Sequence, residues 1–142
     1  RLEGRSVDEI RRAAEQGDAA AQMMYGAMFE DGAAGVKQSS EQALNWYLKA
    51  ARQGYAKAQH NLALLYEDGK GVEQNYRQAA IWYQKAAAGG FSEAQNNLAV
   101  LYILGNGVDV DRKRAEQLLR QAAAQGNANA KRNLKMLLDG EG

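Results

Sequence analysis

Apolar residues in the middle of the chain recur with the period of an α-helix. Ala58, Leu62, Leu65 and Tyr66 fall at i, i+4, i+7 and i+8, and Ala79, Trp82, Tyr83, Ala86 and Ala87 mark a second stripe. Each stripe predicts a helix with one buried face. Between them lies EDGKGV, which leaves room only for a tight reversal. Glycines flanking Lys70 could in principle cradle a phosphate. The motif occurs three times, however, as EDGAAGV, EDGKGV and ILGNGV, and the lysine position holds Ala, Lys and Asn. A phosphate loop would be needed once and would keep its lysine. The glycines are therefore expected to serve the turn, closing the first helix with a left-handed residue that only glycine adopts without steric cost.

The pattern is periodic on a larger scale. AQHNLALLYEDGKGV from Ala58 aligns with AQNNLAVLYILGNGV from Ala94 at an offset of 36 residues. AQMMYGAMFEDGAAGV from Ala21 matches at an offset of 37, because Ala33-Ala34 replaces Lys70, and AKRNLKMLL from Ala130 starts a fourth copy. The second halves repeat too: EQALNWYLKAARQG ends at Gly54, RQAAIWYQKAAAGG at Gly90, and KRAEQLLRQAAAQG at Gly126. Ser39, Asn75 and Asp111 are expected to cap the second helices, and Ser6 with Glu9 has the spacing of a capping box. A single domain over 1–142 follows. It comprises a partial unit (6–20), full units at 21–57, 58–93 and 94–129, and a final half unit (130–142). One hairpin buries too little to offset the entropy of ordering it. The alanine pairs Ala50/Ala51, Ala86/Ala87 and Ala122/Ala123 let neighbouring units approach closely and share a core, the arrangement of an α-solenoid.

The succession A-x-x-N-L-(A/G)-x-x-Y, G-x-G-V and A-x-x-W-Y-x-x-A-A-x-x-G at this period resembles the Sel-one-like repeat, a longer relative of the tetratricopeptide repeat, from Ala13 to Leu138. Tyr25 and Phe29 depart from the pattern, as do Leu118-Leu119 in place of Trp-Tyr, and all remain apolar. The resemblance implies an all-α, right-handed superhelix whose first helices line a concave face. It also implies a non-catalytic scaffold or adaptor that binds a protein or peptide there. An alternative the family offers is a bacterial immunity-type inhibitor that occludes a secreted toxic effector. The bacterial periplasm or cell envelope is the compartment the family suggests, with the cytoplasm left open.

Composition narrows the field further. Net charge is +1, from 18 basic and 17 acidic residues, which gives no electrostatic case for nucleic acid or an anionic membrane. No apolar run approaches the ~20 residues of a membrane span, so membrane insertion is not expected. Cysteine, proline and threonine are absent, which excludes disulfides and thiolate metal sites. The chain opens on Arg1, and RLEGRS is expected to be in part a foreign leader, so the lack of a targeting segment carries no information. His60 is the sole histidine and serines occur only at 6, 39, 40 and 92. With so few candidates for a nucleophile, base or ligand set, no catalytic, cofactor or metal site is expected. The pairs Glu30-Asp31 and Glu67-Asp68 are read as solvated helix ends, and the aromatic residues as core.

If the first helices line a groove, three columns run along it: Met23, His60, Asn96, Arg132; Met24, Asn61, Asn97, Asn133; and Ala27, Leu64, Val100, Met136. The recurring asparagines either tie neighbouring units together or offer hydrogen bonds to an extended peptide. His60 is expected to be a solvated groove residue. Residues that break the repeat (Met23, Met24, His60, Glu67, Asn96, Ile103 and Arg132) are the candidates for specificity, with methionines at one end and Arg132 at the other. Ile103-Leu104, replacing the acidic pair, makes a local apolar spot. The last helix, with Leu134, Leu137 and Leu138, is expected to cap a monomer through Lys131, Arg132 and Lys135; an end-to-end dimer is the alternative.

Overall fold

The computed structural model describes residues 4–141. Residues 1–3 of the leading stretch and Gly142 of the final half unit lie outside them. The described residues form eight helices: α1 (Val7–Glu15), α2 (Ala19–Asp31), α3 (Ser40–Arg52), α4 (Ala56–Asp68), α5 (Tyr76–Ala88), α6 (Ser92–Leu104), α7 (Arg112–Ala124) and α8 (Ala128–Glu141). Each packs mainly on the helices before and after it, and among pairs in substantial contact the non-consecutive one is α6 with α8. The full hairpins are α2–α3, α4–α5 and α6–α7. They start at residues 19, 56 and 92, two residues ahead of the alanines that set the frame in the sequence.

Local chemistry explains the boundaries. Ser39, Asn75 and Asp111 accept the backbone N–H of Gln42, Gln78 and Arg114, satisfying donors that the first helical turn leaves open. Ser6 and Glu9 complete a reciprocal capping box at the start of α1. The first glycine of each turn (Gly32, Gly69, Gly105) closes its helix in the left-handed region, with φ of 68°, 69° and 73°.

The second glycine has a different task. A Cβ on Gly71 would lie 2.5 Å from the Ser40 carbonyl group, and one on Gly107 would lie 2.4 Å from that of Tyr76. Each turn therefore rests backbone against backbone on the start of the preceding unit's second helix. Gly35, in the first unit, meets nothing within 4 Å.

The core is a ladder of small and large side chains. Ala43, Ala50, Ala58, Ala79, Ala86, Ala94, Ala115, Ala122 and Ala130 have no exposed surface, and Tyr47, Leu62, Tyr83, Leu98, Leu118 and Leu119 fill the spaces they leave. Buried glutamines bind the units to one another. Gln22, Gln59 and Gln95 each donate to a carbonyl near the end of the preceding second helix, those of Ala14, Ala51 and Ala87, at 3.1–3.2 Å. Gln53 and Gln125 donate in turn to Gln22 and Gln95, whereas Gly89 stands at that position in the middle unit.

The outermost described helices, α1 and α8, carry polar residues. α1 exposes Asp8, Arg12 and Glu15 to solvent, with Arg11 bridging Asp8 and Glu15. On α8, Lys135 takes the place of the buried Ala63 and Ala99, and Lys131 that of Gln59 and Gln95. α8 is thus charged at positions that are buried in the first helices of the second and third units.

Candidate functional site: the face of the first helices

Direct side-chain links run between successive first helices. Asn61 donates to the Met23 sulfur at 3.7 Å, Asn97 Nδ2 lies 3.1 Å from His60 Nε2, and Asn133 donates to Asn96 Oδ1 at 2.9 Å. Asn96 also donates to Asn97 Oδ1 at 3.4 Å. A continuous relay, Asn133 to Asn96 to Asn97 to His60, therefore crosses three helices; its links between helices run towards the N-terminal end, while Asn96 donates to the next residue along the chain. It terminates on His60 Nε2, which accepts in the neutral ring that carries its proton on Nδ1.

These contacts relocate much of the first column. Met23, His60 and Asn96 are buried, with only 8%, 5% and 6% of their surface exposed. The expectation of a solvated His60 is therefore corrected. Its ring packs 5.1 Å from Phe91 and 5.8 Å from Tyr83, because Phe91 begins α6 as a nonpolar N-cap that folds over it. Burial pushes the imidazole pKa below its ordinary value, against a smaller opposing pull from the Glu93 carboxylate.

In the second column Met24, Asn61, Asn97 and Asn133 are half-buried, and in the third Leu64 and Val100 are half-buried while Met136 is open. Arg132 is exposed and donates to Asn129. A polar cavity of about 340 Å³ is lined by His60, Leu64, Glu93, Asn96, Asn97 and Asn127–Asn129.

The acidic pairs also need correction. Glu30 accepts the Tyr47 hydroxyl at 2.6 Å and Glu67 that of Tyr83 at 2.7 Å, each joining the two helices of its own unit. Neither glutamate is a free helix end; Asp31 and Asp68 are exposed. Burial, and then the glutamate, push both phenol pKa values well above the ordinary value, which keeps the hydroxyls as donors. In the third unit Ile103 and Leu119 occupy the two positions together. That paired exchange was visible in the sequence, where Glu and Tyr vanish in the same copy. The glutamine row was visible too, as Gln22, Gln59 and Gln95 recur in register. Among the described residues, no three His, Asp or Glu side chains converge as a metal site would require.

The stacked hairpins define a helical-repeat solenoid, with one row of helices cross-linked by side chains. The Sel1 repeat is matched over residues 19–55, 56–91 and 92–127, and the chain belongs to the Sel1 repeat family. Proteins of this family generally serve as protein-interaction scaffolds. No curated protein matches the chain. Among solved structures, it is similar to c5321, a protective antigen of uropathogenic Escherichia coli with an SLR fold. That pair shares 40% identity at a TM-score of 0.86, covering 89% of this chain and 27% of the antigen. This chain thus spans about a quarter of that protein. A Sel1 repeat protein from Oxalobacter formigenes matches at 35% identity and a TM-score of 0.83, over 91% of this chain and 96% of the other. Helicobacter pylori cysteine rich protein B shares the fold at 22% identity and a TM-score of 0.69, over 89% and 96% of the two chains.

Proposed function

We propose that the chain is a non-catalytic scaffold that holds a polypeptide along the face formed by α2, α4, α6 and α8. The supporting observation is the asparagine row. Asn61, Asn97 and Asn133 each spend one amide hydrogen on the neighbouring helix, which fixes the side chain in place. A carboxamide has a second N–H and an acceptor oxygen. Side chains held in this way lose little further entropy when an extended main chain docks on them. Leu64, Val100 and Met136 run beside the row and supply apolar contact, while Met24 and Arg132 differ from unit to unit and supply discrimination.

The experiment is a pull-down from native extract with mass spectrometry, comparing the parent chain with Met24→Ala/Asn97→Ala/Arg132→Ala. Loss of a specific partner with unchanged helical circular dichroism supports the groove. Undiminished capture by the triple variant removes it.

A further inference from the structure

Between α6 and α8 lies a cavity of about 320 Å³, walled by Val100, Ile103 and Leu104, by Asn133, Met136 and Leu137, and by Arg112 at the start of α7. Its apolar character is peculiar to this unit. In the first two units the corresponding positions hold Glu30, Asp31 and Gln38, then Glu67, Asp68 and Gln74. The glutamates bind tyrosines, and the glutamines donate to the helix-end carbonyls of Glu30 and Glu67. In the third unit all three become aliphatic: Ile103, Leu104 and Val110. Leu104 and Val110 are each 61% exposed and Met136 is 65% exposed, although burial would favour all three.

The segment that carries this opening has a modest cationic excess: from Gly105 onward there are seven basic residues against five carboxylates, and one of the latter, Glu116, is paired with Arg120. Arg132 precedes Met136 by one turn on the same face of α8, and Lys131 and Lys135 are exposed beside it; Asp139 and Glu141 follow at the end of the helix. Two copies meeting through this surface would bring their cationic helices together, a like-charge contact that disfavours self-association.

We infer that this opening anchors an acidic segment of a partner protein, which inserts a large aliphatic or aromatic side chain between Leu104 and Met136 and sets its carboxylates against Arg132, Lys131 and Lys135. The assignment rests on the scaffold reading above and adds to it the place and chemistry of the main anchor.

The test is selection of phage-displayed random short peptides on the chain, followed by fluorescence anisotropy of the enriched peptides. Enriched sequences should carry Leu, Phe or Trp flanked by Asp or Glu. Their affinity should fall about tenfold or more on Leu104→Asp/Met136→Glu and on Arg132→Glu, and should weaken with added salt. The first two changes are at exposed positions, so circular dichroism should stay unchanged. Enrichment without acidic residues, or affinity indifferent to these substitutions, overturns the assignment. Peptides that bind but are weakened only by Asn97→Ala would leave the scaffold standing and remove this anchor from it. Failure to enrich any peptide would count against both. A dimer in light scattering, dissolved by Leu104→Asp/Met136→Glu, would replace the acidic partner with a second copy.

Discussion

The second and third units share a backbone plan and differ in what locks their two helices together. In α4–α5 a phenol donates to a half-buried carboxylate, Tyr83 to Glu67. In α6–α7 the same two places hold Leu119, fully buried, and Ile103. A polar lock is directional and fails if either partner is lost, because the survivor keeps its desolvation cost. An apolar pair tolerates change in shape but leaves the neighbouring surface greasy. The third unit shows that consequence in Leu104 and Val110.

The harshest way to break both units is at the joint they share. Gly107→Ala combines a left-handed residue with a Cβ 2.4 Å from the Tyr76 carbonyl, and should cost about 3 kcal/mol or more in urea denaturation. Gly35→Ala has the same sign of φ and open space around it. It should cost only about 1–2 kcal/mol. Equal losses at the two sites would refute the backbone contact.

Next in size is a transplant of the lock. Ile103→Glu alone places a carboxylate beside Leu119 and should cost about 2–3 kcal/mol. Adding Leu119→Tyr should recover most of that loss, with a coupling energy of about 1–3 kcal/mol in a double-mutant cycle. Strictly additive effects would show that the two positions are independent. Tyr83→Phe tests the converse in the second unit, with an expected loss of about 1.5–3 kcal/mol because the acceptor is charged.

A smaller effect follows from the buried histidine, which the third unit replaces with Asn96. Its folded-state pKa lies below the ordinary value. Stability should therefore be level above neutrality, where His60 is uncharged in both states. It should then fall as pH drops below about 6.5, where the unfolded chain takes up the proton first. His60→Asn should flatten that slope between about pH 5 and pH 7, read from denaturation midpoints. The smallest change is a gain. Gly89 has ordinary φ and tolerable space for a Cβ, so Gly89→Gln should stabilise by about 1 kcal/mol, by restricting the unfolded chain and by reaching Gln59 as Gln53 reaches Gln22.

The helices, turns and caps were legible in the sequence because their causes are local: a stripe of apolar residues, a glycine at a helix end, an asparagine or serine before a first turn. The burial of His60 was not, because it depends on Phe91, 31 positions away, closing over the ring from the N-cap of α6. Glu67 looked solvated for a similar reason. Its partner lies 16 residues on, and only the joint loss of Glu and Tyr in the third copy hints at the bond. Gly71 and Gly107 were assigned to bending, yet the contact that excludes a side chain there comes from the preceding unit. Register repeats announce that a position matters without saying which neighbour it serves.

The close seating of Gly71 and Gly107 has a mechanical corollary. Main chain bears on main chain there, with no adjustable group between, so the rise from one hairpin to the next is set as firmly as the thread of a screw. Bending between these units would then have to come from their other contacts, and the first turn, where Gly35 meets nothing, lacks this constraint.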